Sequence, residues 1–112
     1  MTFQQHTQLE QRLVAILTSM GQTEKEVVET LVAKRVRGHR NSSRGCVVAR
    51  FLAQELGAPV QVLRGHVQIL DTDKWSPISS FDLPSAVRHV VREFDYGAYP
   101  ELEEYMWLES LP

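Results

Sequence analysis

The sequence predicts a single α+β domain, mainly helical: three helices, then a β-hairpin, then a fourth helix. Three observations carry this. Apolar residues recur at spacings of three and four in four separate windows, the period of a helix with one buried face. Between Val60 and Leu70 they alternate instead, the period of a half-buried strand. Glycines and prolines fall between these windows, where elements start and stop.

The first helix is expected from about Phe3 to Met20. Leu9, Leu13, Ile16, Leu17 and Met20 share one face, and Gly21 ends it as a left-handed residue. Thr23-Glu24-Lys25-Glu26 is a capping box that opens the second helix. Val27, Val28, Leu31 and Val32 form its stripe; Lys34, Arg35 and Arg37 are read as its last turn, where cations suit the negative helix end. Gly38 to Ser43 reads as a polar loop. The third helix is expected from about Arg44 to Leu56, capped by Ser42 or Ser43 and closed by Gly57 and Pro59.

In the hairpin, pairing Val62 with Val67 and Val60 with Ile69 puts four β-branched residues on one face, and Gln61 with Gln68 on the other. The turn is Arg64-Gly65. Asp71 to Leu83 reads as a loop that packs down through Trp75, Ile78 and Phe81. The fourth helix runs from about Pro84 to Tyr96, with Val87, Val90, Val91 and Phe94 on one stripe and Pro84 in its first turn. Residues 1–99 form the domain, and 100–112 are expected as an acidic amphipathic tail or short helix. This element order is winged-helix-like. In such domains the second helix of the pair lies in the major groove, a role that falls here to the third helix.

Composition sets the class. The chain has 112 residues, 43% of them hydrophobic and 23% charged, as expected of one folded domain. Its one cysteine, Cys46, forms no internal disulfide, which fits a reducing compartment. The start lacks a secretory pattern, and no apolar run approaches the ~18 residues of a membrane span. A cytoplasmic location, with no membrane contact, is the expectation.

A net charge of −2 argues against a protein that coats nucleic acid indiscriminately, but the charge is polarised along the chain. Thr30 to Gln54 holds Lys34, Arg35, Arg37, Arg40, Arg44 and Arg50 without an acidic residue. After Arg92 come Glu93, Asp95, Glu101, Glu103, Glu104 and Glu109 without a basic one.

The basic segment is the leading candidate site. Lys34, Arg35, Arg37, Arg40, Arg44 and Arg50 attract phosphate. Asn41, Ser42 and Ser43 bond phosphate oxygens beside the free amides of a helix start. The expected function is therefore DNA binding by a small non-enzymatic regulator. The bland reading is a solvated face, or pairing with the chain's own acidic end. The loop is also longer than a standard helix-turn-helix turn, and the third helix is quite apolar. A small phosphorylated ligand is disfavoured, since no P-loop pattern is present.

Cys46 lies near a helix start and arginines, the setting of a reactive thiol. The stronger reading is a small buried apolar residue. His6, His39, His66 and His89 have no zinc spacing, Asp71 and Asp73 lack the rest of a calcium loop, and nothing assembles a serine triad. No enzyme activity, cofactor or metal is expected.

The alternative function is a protein-interaction adaptor or homodimer. It would use the basic segment together with Leu102, Tyr105, Met106, Trp107 and Leu108, apolar and aromatic anchors set among glutamates.

Two stretches, Cys46-Val47-Val48-Ala49-Arg50-Phe51-Leu52 and Leu83-Pro84 through Phe94-Asp95-Tyr96-Gly97-Ala98-Tyr99-Pro100-Glu101-Leu102, resemble small proteins of actinobacteria and their phages. The likeness spans about half of the chain. It implies a bacterial or phage origin and brings no activity or site residue with it.

Overall fold

A computed structural model describes residues 3–104. Four helices, α1 (Phe3–Ser19), α2 (Glu24–Ala33), α3 (Val47–Leu56) and α4 (Ser85–Asp95), pack with strands β1 (Val60–Leu63), β2 (His66–Leu70) and β3 (Pro77–Asp82). A 3-10 turn, Pro100–Leu102, follows α4. The α+β class and the helix, helix, helix, hairpin, helix order are as expected.

The strands form one antiparallel sheet in the order β1-β2-β3. The hairpin pairs Val60 with Ile69, Gln61 with Gln68 and Val62 with Val67. Val60, Val62, Val67 and Ile69 are buried, while the Gln61 and Gln68 side chains bond each other on the opposite face. The turn runs through Arg64 at φ 41° and Gly65 at φ 87°, both left-handed, as the twist of a two-residue hairpin requires.

β3 is a correction: Pro77–Asp82 was expected as loop. Ser79 and Ser80 break the apolar alternation, and strand pairing prevails because Phe81 sits opposite Val67 and Ser79 opposite Ile69.

α3 is the hub. It packs on α1, α2, α4 and β1. Val47, Val48, Ala49, Phe51, Leu52 and Leu56 are all buried, which leaves little of the helix in water. Around it lie Leu13, Leu17 and Met20 from α1, Val27 and Leu31 from α2, and Val87, Val90 and Phe94 from α4. At about 25 cal/mol per Å² of apolar surface, this core is the dominant stabilising term.

Two helix ends differ from expectation. α2 stops at Ala33, so Lys34, Arg35 and Arg37 lie beyond it. Arg35 is left-handed at φ 56°, its N–H donates to Val32 O, and the Val36 N–H reaches Leu31 O, closing a Schellman motif. Buried Val36 and Leu31 supply the apolar contact that holds arginine in a place usually given to glycine. α3 starts at Val47, not Arg44, and its cap is Cys46 rather than Ser42 or Ser43. The Ala49 N–H donates to Cys46 Sγ at 3.3 Å. Ser42 caps a preceding tight turn, its Oγ accepting from Gly45 N–H at 2.9 Å.

The Thr23 cap forms as read, Glu26 N–H donating to Thr23 Oγ1, while the Glu26 carboxylate reaches one residue further back than a capping box requires, Oε2 accepting from Gln22 N–H. Pro84 is the residue just before α4 rather than part of its first turn.

The packed chain continues past residue 99. Leu102 is buried in the core, Gly38 N–H donates to Leu102 O, and Glu104 N–H donates to Gly38 O. Residues 102–104 thus dock as a short parallel bridge on the basic loop.

Candidate functional site

The loop from Lys34 to Cys46 leaves α2, crosses beneath the chain's acidic end and enters α3. The cations of this loop, and Arg50 of α3, have different fates. Arg40 Nε lies 2.9 Å from Glu103 Oε1, and Glu103 is buried. Arg50 pairs with Glu104 and also donates to Arg37 O. His39 Nε2 stands 3.7 Å from the same Glu104 carboxylate. The Arg50 hydrogen bond holds the Glu104 carboxyl below its ordinary range. Lys34 reaches Glu55 at 3.2 Å on the surface. The pairing of basic segment with acidic end, weighed from sequence, is therefore realised at Arg40 and Arg50. Arg35 and Arg37 are exposed and carry no ion pair among the described residues.

Arg44 lies over Trp75, 4.8 Å from the ring centroid, a cation–π contact on the surface. Trp75 is held at φ 58° by a built turn. Asp71 Oδ1 accepts from the Asp73 and Lys74 amides at 2.9 Å each, and Asp71 O accepts from Trp75 N–H. Those amide bonds pull the Asp71 carboxyl below its ordinary range.

The expectation that α3 reads a groove does not fit its environment. Its apolar face is in the core and Arg50 is occupied by Glu104. The hairpin turn is also tied down, since Leu83 N–H donates to Gly65 O at 2.8 Å. A Cβ on Gly65 would stand 3.0 Å from Arg88 Cδ, so the Arg88 stem lies along the turn.

A different basic strip emerges from these contacts. Ser43 O accepts from Val62 N–H at 2.7 Å, which lays the loop along the outer edge of β1. Asn41 N–H donates to Asp95 Oδ1 at 2.9 Å, which joins the loop to the end of α4. Arg88, Arg92 and Asp95 are four and three residues apart, so they follow one flank of α4. That flank thus lies against the hairpin turn at Arg88 and is bonded to the loop at Asp95. Contact by contact, Trp75 and Arg44, the loop from Asn41 to Ser43, the α4 flank of Arg92 and Arg88, and the hairpin turn with Arg64 are linked. Arg64, Arg88 and Arg92 are exposed and without an ion pair among the described residues. Sequence reasoning missed these three because they are scattered; only the spacing of Arg88 and Arg92 was a readable signal.

Of the residues expected to meet a protein partner, Leu102 is 1% exposed and serves its own core. Tyr105, Met106, Trp107 and Leu108 lie outside the described residues.

Burial pushes the Cys46 thiol up from 9.0 to about 11, against the Ala49 amide that favours the thiolate. A buried neutral thiol is a poor nucleophile. Among the described residues, no group of three or more His, Cys, Asp or Glu is arranged to hold a metal, and no helix is long and apolar enough to cross a membrane. No family model, curated protein or solved structure matches this chain.

Proposed function

We propose that this chain is a small, non-enzymatic, cytoplasmic regulator that binds DNA through its phosphates along the strip from Arg44 to Arg64, not through α3. The carrying observation is the set of exposed arginines without an ion pair among the described residues, Arg64, Arg88 and Arg92, joined to the Asn41-Ser42-Ser43 loop through Asp95 and the hairpin turn. Arginine forks fit phosphate oxygens, and serine hydroxyls and loop amides supplement them. Arg40 and Arg50 contribute little, because Glu103 and Glu104 already neutralise them.

An electrophoretic shift with random-sequence DNA at about 50 mM salt tests the reading. Wild type shifts at micromolar protein, the R64E/R88E/R92E variant does not, and K25E, on the exposed side of α2, behaves as wild type. No shift by the wild type, or equal shifts by all three proteins, would sink it.

A second reading, the interaction adaptor, is favoured by one observation. Val32, Arg35, Val36, Arg37, Glu101 and Leu102 line a groove of about 470 Å³, and Val32 is 49% exposed. Two exposed arginines without an ion pair among the described residues, over an apolar floor, suit an acidic peptide with apolar anchors. R35E/R37E should then abolish capture of such a partner while leaving DNA binding intact; unchanged capture would remove this groove as the interface.

A further inference from the structure

Phosphate contact alone does not choose between duplex and single strands; the aromatic side chains along the strip do. Trp75 is 49% exposed and carries the Arg44 guanidinium over its ring. Tyr96 is 76% exposed and stands beside Gly97, whose Cβ position is 3.0 Å from Arg40 Nη1. The loop from Arg40 to Arg44 is therefore bracketed by exposed aromatics, one at each end. Trp75 is not a stray apolar residue. Asp71 clamps the backbone of its turn through three hydrogen bonds, and the left-handed conformation costs a bulky residue about 1 kcal/mol or more. That expense holds the indole at the surface rather than in the core.

Duplex recognition asks for an element that enters a groove. α3 is enclosed, and the hairpin turn is fastened to Leu83 with the Arg88 stem lying along it. Unpaired bases ask for something else: aromatic faces to stack on and cations to follow the backbone. The strip supplies both: an exposed aromatic face at Trp75, and cations at Arg44, Arg92, Arg88 and Arg64.

We infer that the ligand of this strip is single-stranded nucleic acid, with a base stacked on Trp75 beside Arg44 and the following phosphates carried along Arg92, Arg88 and Arg64. The inference rests on the nucleic-acid reading above and narrows it to one ligand class. A base on Trp75 extends the existing cation–π stack, and Arg44 is close enough to meet the adjoining phosphate. Duplex DNA keeps its bases stacked inside, so it can use the arginines but not Trp75.

The test uses the full chain carrying Trp107→Phe, so that Trp75 is the one fluorescent tryptophan. A thymidine oligonucleotide and a random duplex are titrated separately. The expected result is quenching and tighter binding with the oligonucleotide, and no quenching with the duplex. Trp75→Ala should weaken oligonucleotide binding roughly tenfold, Trp75→Phe should keep most of it, and neither should change duplex binding. Equal affinity for both ligands without quenching overturns the inference while the phosphate-binding reading stands. Failure to bind either ligand overturns both.

Discussion

Arg40 and Glu103 form an ion pair of unequal burial: the arginine side chain is 48% exposed and the carboxylate 8%. The carboxylate is thus the member that needs its partner. Arg40→Ala leaves it desolvated with its main charge partner gone, and a loss of roughly 1–3 kcal/mol is expected. Replacing both residues with apolar ones of similar size should recover most of that loss. Urea unfolding of the two single variants and the double variant measures the coupling. A double variant that loses the sum of the two single losses would show that the pair is incidental.

Gly38 sits where the basic loop crosses the start of α3. A Cβ there would lie 2.3 Å from Val47 N, 2.5 Å from Cys46 C and 2.6 Å from Gly45 O. All three are backbone atoms, so none can swing away. Gly38→Ala should shift the loop off α3, break the bridge to residues 102–104 and cost at least as much stability as a large core truncation, roughly 2–5 kcal/mol. A soluble variant with an unchanged melting temperature would contradict this crossing.

Much of the scaffold was legible because burial leaves a periodic trace. The hairpin register followed from Val60, Val62, Val67 and Ile69, and each helix from its stripe. What escaped was what local pattern does not encode. Ser79 and Ser80 carry no strand signal, yet β2 recruits them into β3 through its own open edge. Ser42 and Ser43 are better cap formers than Cys46, but Ser42 spends its hydroxyl on Gly45 and the helix starts later. Arg35 gave no warning of a helix end, since a Schellman motif there depends on Val36 finding Leu31. The candidate site was half legible. Asn41 to Arg44 lie on the strip, whereas Arg64, Arg88 and Arg92 join it only through the contacts of Gly65 and Asp95.

Cys46 makes stability fall on the alkaline side. Its folded value, about 11, is above its ordinary 9.0, so between those limits the unfolded chain releases a proton that the folded chain keeps. Unfolding is favoured as pH rises, by up to tenfold in the folding equilibrium per pH unit. Other groups titrate there as well, so the informative quantity is the difference from Cys46→Ala. Wild type should lose more stability than the variant from about pH 9 upward. Parallel curves would mean the thiol is not desolvated.

The acid side has the opposite sign. Glu104, held by Arg50, and Asp71, held by the Lys74 and Asp73 amides, both sit below their ordinary values of 4.5 and 3.8. Their contributions are fully present above those values and fade as pH falls through the lower folded ones. Glu104→Gln should therefore be less stable than wild type near neutrality, with the gap closing toward strongly acidic pH. Urea midpoints across that range provide the measurement, and a constant gap would argue against the Arg50 contact.

Occupied and free arginines should separate in the salt dependence of binding. Each phosphate contact contributes about 0.9 to the slope of log affinity against log salt on duplex, or about 0.7 on single strands. Arg88→Ala and Arg92→Ala remove exposed charges that carry no ion pair among the described residues, and each should lower the slope by about that amount. Folding stability should change by no more than roughly 0.5 kcal/mol for Arg92→Ala, as for an exposed surface position, and somewhat more for Arg88→Ala, whose stem lies along the hairpin turn. Arg50→Ala removes a charge that Glu104 already neutralises, so its slope should stay near that of the wild type even though the fold is weakened. Glu104→Gln frees Arg50 and should raise the slope instead. If Arg50→Ala lowers the slope as much as Arg92→Ala does, the acidic end yields to phosphate, and the interface extends back to the loop's buried side.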